Sequence, residues 1–364
     1  MSTMHDVRTG IDAYIRRLSG VLALCFAAQC LPVQAETYML PPNGDDIVGG
    51  LQSTWAEFQD TLLDIARDHN QGYHEIHLAN PTLDTWLPGE GKHVVLPSYY
   101  ILPAAPREGI VLNIPEMRLY YYPKPKPGEP RVVITHPISV GRQDWSTPYT
   151  LTEVADKVEN PAWYPPESIR AEHEAEGDPL PKVVPAGPDN PLGAYALRLA
   201  LPGYLIHGTN KPYGLGMRVS HGCIRLYPED IERLFYQVDV GTPVRIVNQP
   251  YKVGWLGGQL YLEAHPYLTE DKEAFKNNMT PVVELIVNAT KERSQKVDWD
   301  KVRLVRAESR GIPIPVGIEP PPEVQMAQVV DKQPPMERPP PLIGVRGPVS
   351  SLQLRLDTKM ARNP

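Results

Sequence analysis

The chain has 364 residues, a formal net charge of −7 at pH 7, 42 prolines and three cysteines. That length holds two modules plus tails, and the acidic balance argues against a nucleic-acid partner, which wants a basic surface. Proline at about twice its usual share marks loops and extended segments more than helices.

Taken in chain order, Arg8, Arg16 and Arg17 precede the apolar run LSGVLALCFAAQCL, and the small residues Val33 and Ala35 follow. This is the pattern of a secretory signal peptide over residues 1–35, cut after Ala35, with an apolar core too short for a good membrane span. Bulky Gln29 before Cys30 disfavours lipidation there. No other stretch is apolar and long enough to span a bilayer, so no membrane span is expected after cleavage. Loss of Cys25 and Cys30 leaves Cys223 alone. A leftover cysteine in an oxidising compartment is either an intermolecular bridge or a reactive thiol.

A linker, TYMLPPNGDDIVGG, leads into a small βααβ unit at 51–97. Leu62, Leu63, Ile65 and Ala66 have helical spacing, YHEIHLANP (73–81) reads as a second helix ended by Asn80-Pro81, and HVVLP (93–97) as a strand. From 107 to 248 the period changes to short strands. GIVLNIPEMRLYYYP (109–123) is a hairpin turning near Pro115-Glu116, and strands follow at 131–141, 195–201, 204–208 and 242–248. Residues 228–238 form a helix with Pro228 near its start. The proline-rich run 160–193 is a long insertion, either a lid or a plain surface loop. Residues 249–311 add an apolar strand and two helical segments (280–297 and 298–311). The stretch 312–364, with EPPPE and RPPPL, reads as an unfolded or extended tail.

The chemistry centres on IHGTNKPYGLGMRVSHGCIRL, residues 206–226. His207 ends one strand and Cys223 begins the next, so the intervening loop can bring imidazole and thiol together. His207 or His221 can serve as the base that takes the thiol proton, and a backbone carbonyl such as that of Gly208 can hold the ring in one tautomer. The N–H groups of Gly222 and Cys223 can stabilise an oxyanion. Arg225 alternates to the same side as Cys223, where it either meets a substrate carboxylate or is a solvated arginine. Two other readings compete: a buried structural cysteine, and a metal held by His207, His221 and Cys223, for which a fourth ligand and any Cys-x-x-Cys are missing.

IHGTN followed by GMRVSHGCIRL resembles the signature of the L,D-transpeptidases, the YkuD-type catalytic domain of bacterial cell-wall enzymes, over about residues 107–248. The resemblance implies a mainly β fold, a β-sandwich with a few helices. It puts the nucleophile on Cys223, the proton-relay histidine on His207, and supporting roles on Ser220, His221, Gly222 and Arg225. No metal and no cofactor is implied. A family turn, Thr-Pro-x-Gly, appears here as TPYT (147–150), with Thr150 in place of Gly.

Asp60-Thr61-Leu62, Ile65-Ala66, Asn80-Pro81 and LPGEGKHVVLP resemble a LysM glycan-binding module, although Gln59 stands where that family usually has Gly. Together the two resemblances imply a periplasmic enzyme of the Gram-negative type whose partners are peptidoglycan tetrapeptide stems and glycan. The acyl acceptor is a second diaminopimelate or the lysine of an outer-membrane lipoprotein. Hydrolysis of the same stems and a non-catalytic cell-wall scaffold are the alternatives.

Overall fold

The computed structural model describes residues 36–318 apart from 42, 43 and 292. The signal peptide expected at 1–35, with Cys25 and Cys30, and the tail from 319 onward lie outside the described residues. The strands of the N-terminal part are β1 (Glu36–Met39), β2 (Ile47–Gly49), β3 (Gln52–Trp55), β4 (His93–Leu96) and β5 (Tyr99–Ile101), with helices α1 (Leu62–Asp68) and α2 (Tyr73–Ala79) between β3 and β4. Next come β6 (Gly109–Asn113), β7 (Arg118–Tyr122), β8 (Val132–Pro137), β9 (Val140–Gly141), β10 (Thr150–Glu159), α3 (Glu167–Ala175), β11 (Tyr195–Leu199), β12 (Leu205–His207), β13 (Arg218–Ser220), β14 (Ile224–Arg225), α4 (Pro228–Gln237) and β15 (Pro243–Val247). The C-terminal part holds β16 (Tyr251–Leu256), β17 (Gln259–Ala264), α5 (Lys272–Phe275), α6 (Thr280–Thr290), α7 (Trp299–Glu308) and β18 (Ile314–Pro315).

The mainly β expectation holds, but the sandwich is built from one sheet. Its nine strands run β1-β8-β7-β6-β15-β10-β11-β12-β14. Ser139, just beyond β8, exchanges backbone hydrogen bonds with Arg225 of β14 at the far end of that order, so the sheet must curl until its ends nearly meet. The inside of the curl is apolar: Ile110, Leu112, Leu119, Leu197, Ile206 and Ile224 share one cluster with Ile231 and Leu234 of α4. Burying them is the main stabilising term, about 1.5–3 kcal/mol for each large aliphatic side chain.

Two segments read as unstructured are strands. The linker contains β1, which pairs with β8 at the sheet edge, and β2, which pairs with β5. Within the stretch read as tail, β18 adds a third strand to the β16–β17 hairpin.

The βααβ unit is present, with β3 antiparallel to β4 and a core of its own built on Leu62, Ile65, Ile76, Val94 and Leu96. Thr61 caps α1 in a capping box with Asp64. The Asn80 side chain donates to the carbonyls of Ile76 and Val95 and accepts from the Val95 N–H, which fixes the end of α2 against β4.

The unit docks tightly on the sheet. Glu75 of α2 makes a buried bidentate pair with Arg118 of β7. Gly72 and Gly216 meet backbone to backbone, and a Cβ on Gly216 would lie 2.4 Å from the amide nitrogen of Tyr73. The Tyr73 and His74 N–H groups donate to the carbonyls of Leu215 and Gly216, so α2 grips the loop that leads into the Ser-His-Gly-Cys segment. Among the described residues no helix is long and apolar enough to cross a membrane.

Candidate active site

Strands β12 and β14 run parallel, with Ile206 opposite Ile224 and His207 opposite Arg225. Because Ile206 and Ile224 point into the core, their neighbours point the other way. His207, Arg225 and Cys223 therefore share the outer face, with Cys223 and His207 as diagonal neighbours across one strand pair. The expected alternation of Arg225 to the side of Cys223 is what the register produces.

His207 is buried, and its Nδ1 lies 2.7 Å from the carbonyl oxygen of Gly208. A carbonyl can only accept, so Nδ1 carries the hydrogen and Nε2 keeps the lone pair. The Gly208 carbonyl thus fixes the tautomer. Burial, and after it the Arg225 charge, pull His207 down to about 3, against the carbonyls of Gly208 and Leu192. Burial pushes the Cys223 thiol above its ordinary value, while a backbone hydrogen bond from Leu205 and the charge of Arg225 act the other way. Both groups are therefore neutral near pH 7. Arg225 has no carboxylate partner among the described ion pairs, and its buried Nε lacks a hydrogen bond. Burial lowers its pKa from the ordinary arginine value, and the neighbouring Cys223 opposes that shift.

The turn carrying the thiol is tightly fixed. Gly222 has φ +100°, and a Cβ there would lie 2.9 Å from the Tyr204 ring, so only glycine fits. The Ser220 hydroxyl donates to the carbonyl of Cys223 and closes the turn. Thr147, from the TPYT segment, accepts from the Gly141 N–H and donates its hydroxyl to the Gly222 carbonyl at 2.9 Å. Sequence reasoning gave Thr147 no role of its own, and the signal was there in its place in the TPYT turn.

His221 does not face His207. Its ring packs edge-on against Trp145 at 5.1 Å, and its Nε2 lies 3.0 Å from Oε2 of Glu172 on α3. The same carboxylate pairs with Arg142. Arg142, Trp145 and Glu172 were all missed. The helix bearing Glu172 lies within the 160–193 insertion, whose prolines obscured it, although Pro165-Pro166 and Gly177 bracket a run of good helix formers.

From the C-terminal part, Glu270 reaches Arg218 of β13 with two hydrogen bonds of 2.8 and 2.6 Å, and Arg218 also donates to the Gly141 carbonyl. The extension thereby touches the strand before the thiol.

Residues 107–246 match the YkuD family, described as an L,D-transpeptidase catalytic domain. The chain is 47% identical over 249 residues to the probable L,D-transpeptidase YcfS of Escherichia coli K12, covering 67% of this chain and 77% of that protein. It is 42% identical over 266 residues to the probable L,D-transpeptidase YbiS of the same organism, covering 71% and 85%. Among solved structures, the catalytic domain of an Enterococcus faecium L,D-transpeptidase is matched at 23% identity and a TM-score of 0.30, over 40% of this chain and 100% of that one. A matched YkuD region, in a chain that spans most of the two Escherichia coli relatives, leads to one conclusion: the chain belongs to the L,D-transpeptidase family and is an L,D-transpeptidase.

Proposed function

We propose that this L,D-transpeptidase works in the periplasm on the tetrapeptide stems of peptidoglycan, with Cys223 as nucleophile and His207 as base. The observation that carries the assignment is the shared outer face of β12 and β14, where the thiol, a carbonyl-oriented imidazole and an unpaired guanidinium stand together. Since His207 is neutral and the thiol protonated at rest, the proton passes from Sγ to Nε2 as the thiol attacks, not before. Sγ adds to the carbonyl at the L-centre of diaminopimelate, and the N–H groups of Gly222 and Cys223 stabilise the oxyanion. Imidazolium returns the proton to the leaving nitrogen, D-alanine departs, and a thioester remains. An acceptor amine then attacks the thioester, loses its proton to the same imidazole, and releases Cys223 as the new amide forms. Arg225 holds a carboxylate of the stem.

The acceptor is the lysine of an outer-membrane lipoprotein or a second diaminopimelate, and the LysM-like unit brings the enzyme to glycan. Supporting that second role, Trp55, Phe58 and Trp86 are largely exposed on the neighbouring segments 55–61 and 84–92, which share backbone hydrogen bonds. Aromatic faces of this kind suit sugar rings.

The test is to incubate the purified protein with a disaccharide-tetrapeptide donor and, in parallel, a lipoprotein C-terminal peptide or a second stem. Release of D-alanine matched by one new amide is the expected result, and the tube in which it forms identifies the acceptor. Absence of D-alanine release with either acceptor, from folded protein with a free thiol, would overturn the reading.

A further inference from the structure

The insertion 160–193 is folded, and Glu172 fastens it by charge to Arg142 and His221. Its interior is organised by Asn190, whose buried side chain donates to the carbonyls of Pro161 and Pro185 and accepts from the Leu192 N–H. Trp163 and Val184 exchange backbone hydrogen bonds across it. Helix α3, by contrast, buries only Ile169. Its polar link to the catalytic turn is Glu172, which spans Arg142 and His221, two residues before the nucleophile. Arg142 is itself anchored, since its N–H donates to the carbonyl of Ser220 at 3.0 Å. The charged and titratable groups at this junction are Arg142, Glu172 and His221, with Trp145 packed on the imidazole; His173 faces away to Asp178.

We infer that Glu172 is a positioning residue of the transfer reaction, a clasp through which the lid is held shut beside Cys223 and His221 is held in one orientation. The inference rests on the thioester reading above. Because a carboxylate only accepts, Nε2 of His221 must carry a hydrogen and donate it to Glu172. A side chain held by both Trp145 and Glu172 has little freedom to turn. The weak apolar burial of α3 means that the clasp supplies much of the closure, so the lid can open for substrate and product and shut in between.

The chemical consequence is a choice between two nucleophiles. An amine attacking the thioester gives an amide and the free thiol; water attacking the same carbon gives a carboxylic acid and the free thiol. With the lid shut, bulk water is excluded and the amine is favoured. With the clasp broken, water gains access.

The experiment measures the ratio of hydrolysed to transferred product per acyl-enzyme formed, which is independent of how fast the thioester forms. Wild type, Glu172→Ala, Glu172→Gln and Arg142→Ala are compared with one donor and one amine acceptor. Glu172→Ala should raise the ratio about tenfold, the equivalent of roughly 1.4 kcal/mol. Arg142→Ala, which opens the clasp from the other side, should raise it similarly, and Glu172→Gln, which keeps an acceptor oxygen for His221, should fall between. An unchanged ratio in both alanine variants would overturn the inference. Failure of wild type to form any acyl-enzyme would instead overturn the thioester reading.

Discussion

Ser139 and Arg225 exchange both backbone hydrogen bonds, at 3.0 and 2.9 Å, although their strands stand near opposite ends of a nine-stranded sheet. This contact closes the curl and fixes the backbone of Arg225, so that its side chain emerges beside Cys223 and His207. The fold thus places a cation beside the thiol through main-chain pairing, and that cation has no carboxylate partner among the described ion pairs.

That freedom sets the first prediction. Arg225→Gln removes the charge without emptying the space. Loss of a charge-assisted hydrogen bond to a donor carboxylate costs about 2 kcal/mol, roughly 30-fold in kcat/KM. Steady-state kinetics with the tetrapeptide donor checks this, and an effect below about threefold would show that the guanidinium does not meet the substrate.

Thr147 offers a second. Thr147→Val keeps the shape of a buried side chain but strips the hydroxyl that links Gly141 to Gly222. The two backbone groups it leaves unpaired cost about 1–3 kcal/mol. The melting temperature should fall and thiol acylation should slow; an unchanged acylation rate would mean the turn at Gly222 is held without it.

Two histidines held neutral, buried His207 and half-buried His74, make the fold acid-sensitive. Burial first, with neighbouring positive charge, holds His207 at about 3 and His74 at about 4. In the unfolded chain each protonates near 6.5. As pH falls below 6.5 the unfolded state therefore binds protons that the folded state refuses, and stability declines until the folded values are reached. The slope is at most about 1.4 kcal/mol per pH unit for each residue. Urea titrations between pH 7 and 5 should show the decline, and His74→Gln should make it shallower. Equal slopes in the two proteins would contradict the assignment of His74.

A buried ionic cluster joins the C-terminal hairpin to the catalytic sheet. Lys252 lies 2.8 Å from both Glu116 and Glu263, and Glu263 also pairs with His265. Lys252→Met leaves two buried carboxylates facing each other, at a cost of about 3–5 kcal/mol. Glu116, Glu263 and His265 lie close enough to hold a metal, but the ammonium of Lys252 already supplies the cation. Denaturant unfolding of the variant tests this directly; a change under 1 kcal/mol would show that the carboxylates are neutral without the lysine.

The candidate site was legible because its residues are local in sequence. His207, Gly208, Gly222 and Cys223 lie within one quoted stretch, and the parallel pairing of β12 with β14 needs only that stretch. The hairpin β6–β7 and helix α4 were legible from alternation and from Pro228. Strand β10 was not: Glu153, Asp156, Lys157 and Glu159 stud it with charge, since much of its surface remains exposed. Strand β1 was read as linker because its partner, β8, lies almost a hundred residues away. The burial of both faces of β7 has the same origin. Leu119 and Tyr121 face the curl, whereas Tyr120 and Tyr122 pack with Val48, Tyr100 and Leu102 from the N-terminal strands and the segment after them. Glu172 could not be assigned to His221 for that reason too: a separation of 49 positions reveals nothing of the helix that carries one back to the other.

The most direct measurement is intact-mass spectrometry of the protein and its Cys223→Ala variant after exposure to the disaccharide-tetrapeptide donor without acceptor. The account predicts an adduct of the donor less D-alanine on the unaltered protein, absent from the variant. An adduct that persists in Cys223→Ala, or D-alanine release by that variant at the unaltered rate, would contradict it.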